Sequence, residues 1–156
     1  MMQFFTQNSE IILRLFLAVI LGMVIGAERV FVHKEAGMKT HALISMGAAV
    51  FVLISEALTF KYINLPGLNP AMIPSQIVIG IGFLGAGSII LQGSRLKGLT
   101  TASGFWVTAG IGMAAGFGLY SLAIIAAVFI LIVFVAMNIF EKPLRKISEN
   151  IDSSEV

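Results

Sequence analysis

The chain has 156 residues, of which 58% are hydrophobic and 12% charged, with no cysteine and a formal net charge of +2. Soluble domains average roughly 45–50% apolar and about 25% charged residues, so this composition excludes an ordinary water-soluble fold and places the chain in a membrane. The lack of cysteine excludes disulfides, thiolate metal sites and thiol nucleophiles, and apolar segments of about 20 residues, the span of a bilayer core, use nearly all the length and leave room for one domain.

Five spans follow along the chain, and the expected fold is an all-α bundle of five transmembrane helices. The first runs from Ile11 to Ala27, the second from Thr40 to Phe60, the third from Ile73 to Leu91, the fourth from Leu99 to Gly116 and the fifth from Leu119 to Phe140. Pro66-Gly67 and Asn69-Pro70 break the helix between spans two and three, Pro74 suits the first turn of the third, and Gly116 with Gly118 supplies a tight reversal before the fifth. Met1 to Glu10 contains no Lys or Arg, so the first span lacks the basic region of a cleaved signal and is expected to stay in the mature protein. The transmembrane domain is placed at residues 1–146, with a short polar tail at 147–156 that is expected to fray.

Basic residues set the expected orientation, because they are retained on the cytoplasmic side of short loops. Arg29, Lys34 and Lys39 fall in the first loop, Arg95 and Lys97 in the third, and Lys142, Arg145 and Lys146 after the last span, whereas Lys61 alone lies in the opposite loops. The N-terminus is therefore predicted outside the cytoplasm and the C-terminus inside.

Helical spacing sorts the faces. Stepping by fours from Arg14 reaches Ala18, Gly22 and Gly26, a close-packing seam on the first span. His41, Ser45, Ala48, Val52, Ser55 and Thr59 form an inward stripe on the second, and Thr101, Gly104, Thr108 and Ala115 one on the fourth, where Gly112 and Gly116 are further packing positions. On the third, Gly80 and Gly87 share a side with Gln76 and Phe83 while Gly82 and Gly85 lie nearly opposite, which predicts two helical neighbours. The fifth, with Ile124, Ile125, Val128, Phe129, Ile132, Val133 and Phe134, reads as apolar all round and is expected to face lipid or a partner subunit. Trp106 lies too deep in its span for an interfacial anchor and is expected to pack inside the bundle.

Ionisable and polar groups within spans are costly and so single themselves out. Arg14 either pairs with Glu10 one turn away or reaches an inward acceptor, and Glu56 either pairs with Arg14 across helices or is solvated. Glu28, Arg29, Thr40, His41, Thr100 and Thr101 are the candidate cytoplasmic-side polar cluster for an ion, an anion or a partner's side chain. The alternative is that the charges pair with loop residues and the threonines bond their own helix carbonyls. Gln76 reads as structural glue between helices.

Glu28-Arg29 followed by Ala36-Gly37-Met38-Lys39-Thr40-His41-Ala42-Leu43, then Gln76-Ile77-Val78 with Gly80 to Gly87, then Lys97-Gly98-Leu99-Thr100-Thr101-Ala102 with Trp106, together resemble the MgtC/SapB family of bacterial inner-membrane proteins. The match runs from about Arg14 to Tyr120. The resemblance implies a plasma-membrane protein tied to magnesium limitation, acid stress and, in pathogens, survival in host cells. It further implies action by binding and modulating other membrane proteins, ATP synthase and phosphate-signalling components among them. Many members carry a C-terminal ACT-like domain, which is not expected in this chain ending at Val156. Two departures from the family pattern stand out. Asn69-Pro70-Ala71-Met72 replaces an acidic residue before the outer-loop proline and an arginine after it, and Lys39-Thr40-His41 has lysine for the usual arginine, losing a planar bidentate fork.

Three function classes follow. The first is a regulatory partner of other inner-membrane proteins, with a homodimer expected from the apolar fifth span. The second is a transporter or channel for Mg²⁺, a proton or an anion along the stripes of spans two to four. Mg²⁺ fits that route poorly, since no acidic pair at ligand spacing lies within the spans. The third, an enzyme, is not expected, because no nucleophile, base and orienting group converge. No metal site, cofactor or nucleic-acid partner is expected either; the basic residues are explained by topology.

Overall fold

Helix ends fall where the backbone can satisfy its last carbonyls, and this sets the outline of the molecule. The computed structural model describes residues 8–64 and 69–152, with side chains as far as Glu141. Its elements are α1 (Ser9–Phe31), α2 (Met38–Lys61), α3 (Met72–Gly87), a two-stranded hairpin of β1 (Ile90–Gln92) and β2 (Arg95–Lys97), α4 (Leu99–Gly116) and α5 (Tyr120–Asp152). Met1 to Gln7, Pro66-Gly67, residues 153–156 and the side chains of Lys142, Arg145 and Lys146 lie outside this description.

Two helices close with the same device. At the end of α4, Gly118 takes a positive φ of 72°, its N–H donates to Ala115 O and the Leu119 N–H to Ala114 O. At the end of α1, His33 takes φ 57°, donating to Val30 O while Lys34 donates to Arg29 O. Both are left-handed caps of the Schellman kind, in which two orphan carbonyls are paired by the chain's reversal.

The third helix differs from its expected extent. It stops at Gly87 rather than reaching Leu91, because Ser88 folds back, its N–H and hydroxyl both on Gly85 O. Ile90 and Leu91 then enter a strand paired in the register Ile90 to Lys97, Leu91 to Leu96 and Gln92 to Arg95. Gly93, at φ 63°, takes the first central position of the two-residue turn, where a right-twisted hairpin favours glycine. The fifth helix also exceeds its expected end at Phe140, and the tail expected to fray is helical as far as Asp152.

Small residues let the helices touch. Two core clusters form, one joining α1, α2, α4 and α5 through Ala18, Ile25, Ala49, Ile111, Ala123 and Ile130, the other joining α2, α3 and α4 through Ala48, Ile81, Phe105 and Ala109. Added methyl groups at Gly22 and Gly26 would lie 2.5 Å from His41 O and Met38 Cα respectively, so α1 and α2 meet backbone to backbone. Gly112 abuts the Ser45 peptide, and a methyl at Gly116 would be 2.9 Å from Ala49 Cα. Polar stripes are thereby sealed against neighbouring backbone.

The α3 glycines behave differently. Gly85 packs on Ala102, but a methyl at Gly80, Gly82 or Gly87 would meet nothing within 4 Å. These three are therefore not packing positions among the described residues, although α3 does have the two helical neighbours expected of it, α2 and α4. Trp106 corrects another expectation: it is 55% exposed and borders a surface groove with Gly82 and Gly85. On α5, Ala123, Ala127, Ile130 and Phe134 recur at helical spacing as a buried stripe, so this helix has a bundle-facing side, and Phe134 belongs to it. Three helices, Ser9–Phe31, Met38–Lys61 and Tyr120–Glu141, are long and apolar enough to cross a membrane.

Candidate functional site

The last turn of α1 carries two charges into the bundle, and each is answered. Glu28 and Arg29 are 9% and 2% exposed, and Glu28 Oε2 accepts hydrogen bonds from the Arg29 guanidinium. The Arg29 guanidinium carbon lies 3.5 Å from the centroid of the Phe134 ring, a cation–π contact that strengthens where water is scarce. Asn138 Nδ2 donates to Glu28 Oε1 at 2.9 Å. One α5 face thus receives both members of the pair.

His41 lies beside this group on the first turn of α2. It is fully buried, its Nδ1 is 2.9 Å from Thr108 Oγ1 on α4, and its ring meets Phe105 edge-on at 5.5 Å between centroids. Gly104 makes the junction: a methyl there would be 3.1 Å from Phe134 Cζ and 3.5 Å from His41 Cε1. One turn further along α2, Ser45 is also fully buried. Among the described residues neither His41 Nε2 nor Ser45 Oγ has a hydrogen-bond partner, although buried polar atoms are usually paired.

At the far end of the bundle Arg14 ties three segments. Its guanidinium donates to Glu10 Oε1 at 2.5 Å, Glu56 Oε2 at 2.6 Å and the Gly116 carbonyl at 3.0 Å. Both pairings weighed from the sequence are present, within the helix and across to α2. The Gly116 bond adds a third contact at the C-terminal end of α4, where bare carbonyls favour a cation. Nearby, Ser55 Oγ donates to Pro70 O and Asn69 Oδ1 accepts from Ala71 N–H, so Asn69 closes its own turn.

Of the six residues expected to cluster, the structure joins Glu28, Arg29 and His41. Thr40 and Thr101 are half-buried and Thr100 is exposed, and among the described residues none of the three bonds to the cluster. Gln76 is exposed and bonds to none of the described residues, so it does not act as glue among them; it borders an apolar groove of about 590 Å³ between α2 and α3, with Leu43, Gly47, Phe51, Gly80 and Leu84. Sequence reasoning missed Phe134, grouped with the lipid-facing residues, and Asn138, a lone amide in an apolar run, which was itself a signal of an inward partner. Among the described residues no group of three or more His, Asp or Glu side chains could hold a metal ion.

Long apolar helices whose few buried charges are paired at the two ends define an α-helical membrane protein. The profile of the MgtC family matches residues 15–143, and the chain belongs to that family. It is 45% identical over 128 residues to YhiD of Escherichia coli K12, whose name gives it as a candidate magnesium transporter, covering 81% of this chain and 60% of that protein. It is 41% identical over 132 residues to Protein MgtC of Brucella abortus, covering 85% of this chain and 51% of that protein. It is 45% identical over 120 residues to Protein MgtC of Salmonella typhimurium, covering 77% and 49%. The chain thus spans about half to three fifths of the length of these relatives. No solved structure matches it.

Proposed function

We propose that this chain is a bacterial inner-membrane protein of magnesium- and stress-linked homeostasis that acts by docking against other membrane proteins, not by catalysis. All five helices cross the bilayer in this reading, with the N-terminus outside and the Arg29, Lys34, Lys39, Arg95 and Lys97 end in the cytoplasm. The magnesium link rests on the name of the relative YhiD. The mode of action rests on one contrast: a closed axis and an open flank.

Along the axis, α1, α2 and α4 touch through Gly22, Gly26, Gly112 and Gly116. Between His41 and Glu56 the buried positions of α2 are Ser45, Ala48, Ala49, Val52 and Ser55. A hard divalent cation prefers several oxygen ligands including carboxylates, and these positions offer two hydroxyls and no carboxylate. The flank is the reverse. The groove between α2 and α3 is wide and apolar, and Gly80 offers bare backbone to a partner helix, the surface on which helices associate most closely in lipid. The uncovered apolar side of α5 suits a homodimer.

The test is reconstitution of the purified protein in liposomes with entrapped Mg²⁺, pH and phosphate indicators, alongside photo-crosslinking from position 80 in native membranes. The expected result is no flux above empty vesicles and a reproducible heteromeric adduct. Flux from the isolated protein would overturn the docking reading and favour the transporter.

A further inference from the structure

The hairpin between α3 and α4 is amphipathic across its thickness. Directly paired residues project to one face of a ladder and successive residues alternate, so the Leu91–Leu96 pair forms one face, while Lys97 and Arg95 share the other with Ile90 and Gln92. Leu91 and Leu96 are 70% and 59% exposed. Among the described residues neither strand packs substantially against a helix, and a lone two-stranded hairpin is marginal in water. Yet its base is locked in place, since Gly98, at φ 95°, fits against Ser88 O where any side chain would collide.

The length of α3 sets the hairpin's depth. Its 16 residues rise about 24 Å, short of the roughly 30 Å hydrocarbon core. The 23 residues of α1 and 24 of α2 rise about 35 Å. A hairpin that starts where α3 stops thus continues a crossing shorter than the hydrocarbon core, which places it at the core's edge. Retention of basic residues on one side of the membrane accounts for Arg95 and Lys97. It does not account for two bare leucines paired beneath them.

We propose that this hairpin is a membrane-surface anchor, with Leu91 and Leu96 seated in the acyl boundary and Arg95 and Lys97 reaching anionic lipid headgroups. Long basic side chains keep their charge in the headgroup layer while the apolar face is covered. A second copy is a poorer occupant, because it would cover the leucine face and leave Arg95 and Lys97, on the opposite face, without anionic partners, whereas a lipid surface answers both faces.

The chain has no cysteine, so single replacements Leu91→Cys, Leu96→Cys and Gln92→Cys can each carry a nitroxide without further engineering. The labelled proteins are placed in vesicles of phosphatidylcholine alone or mixed with phosphatidylglycerol, and power saturation compares collisions with oxygen and with a water-soluble nickel chelate. In the anionic vesicles, labels at 91 and 96 are expected to favour oxygen and the label at 92 the chelate. Replacing Arg95 and Lys97 by Gln, or removing phosphatidylglycerol, is expected to lower the docked-to-free ratio by about 30-fold. Equal chelate access at 91, 96 and 92 in anionic vesicles would overturn the proposal. Shielding indifferent to lipid charge and to both basic residues would overturn it as well, as would shielding that disappears when the protein is diluted in lipid, which marks a second copy.

Discussion

A matched pair of glycine replacements, Gly22→Ala and Gly80→Ala, isolates the backbone contact on which the bundle depends. At position 22 the new methyl would lie 2.5 Å from His41 O, 2.8 Å from Ala42 Cα and 2.9 Å from His41 C, all main-chain atoms that cannot rotate away. Carbon contacts are most favourable near 3.5–4.0 Å, so α1 and α2 must part locally by roughly 1 Å. At position 80 the methyl meets nothing within 4 Å. Both sites are interior to a helix, so the propensity gain of about 1 kcal/mol for alanine over glycine is shared and cancels in the difference. What remains is the overpacking cost, about 1–3 kcal/mol, or roughly 5- to 150-fold in the folded-to-unfolded ratio. Unfolding in detergent micelles titrated with dodecyl sulfate, followed by circular dichroism, reads this as a lower midpoint for Gly22→Ala than for Gly80→Ala. Equal midpoints would refute the claim that α1 and α2 are in backbone contact. Gly26→Ala, whose methyl would lie 2.5 Å from Met38 Cα, is expected to repeat the Gly22 result on the same interface.

Glu28→Gln leaves the Arg29 guanidinium, 2% exposed, without its counter-charge, and the same unfolding titration should show a loss of about 3 kcal/mol. The double replacement by Gln at 28 and 29 should recover part of it, since no buried charge then remains. At the other end the expected order of loss is Arg14→Ala, then Glu56→Gln, then Glu10→Gln, because the Glu10 side chain is 68% exposed and such a pair contributes only about 0–1 kcal/mol; thermal melting in mild detergent ranks the three. Thr108→Val removes the hydrogen-bond partner of His41 Nδ1 inside a fully buried site and should cost about 1–3 kcal/mol, read in the same melts. Trp106 is the single tryptophan and is 55% exposed, so brominated acyl chains should quench its emission strongly in vesicles; weak quenching would mean that a second subunit covers that groove.

Hydrophobic length and helical spacing made most of the architecture legible. The seam of Ala18, Gly22 and Gly26 and the stripe of His41, Ser45, Ala48, Val52 and Ser55 could be read because one element alone determines each. The hairpin was less visible: the apolar run of the third span continues through Ile89, Ile90 and Leu91, and hydropathy does not distinguish a helical isoleucine from one in a strand. The Gly93-Ser94 pair between Gln92 and Arg95 was the available sign, a two-residue turn flanked by residues that can pair. Glycine on α3 misled for a different reason. Small size permits close approach without requiring it, and which side is occupied depends on neighbours that the helix's own sequence does not name. The site was half legible for the same cause. Glu28, Arg29 and His41 announce themselves by chemistry, whereas Phe134 and Asn138 matter only because α5 returns to the end of α1, a fact of packing rather than of local pattern.

The two charged groups share one element, and this decides where the molecule can yield. Arg14 and Glu28-Arg29 sit near opposite ends of α1, the first tied to α2 and α4, the second to α5. Sliding α1 against its neighbours would expose unpaired charges at both ends, and parting it from α2 would open the glycine seam between them. An ion route through the axis needs some such movement. Among the described residues the third helix carries no charged tie. It is held by the smaller core cluster of Ala48, Ile81, Phe105 and Ala109 and by Gly85 on Ala102. Displacing it breaks mainly apolar contacts, which lipid or a partner helix can replace at little net cost, together with the Ser55 to Pro70 hydrogen bond just before it and the fit of Gly98 against Ser88 O just after it. Phe105 belongs to that cluster and touches His41 edge-on, so a helix pressing on α3 would act on the buried polar group through one aromatic ring, without a charge leaving its partner.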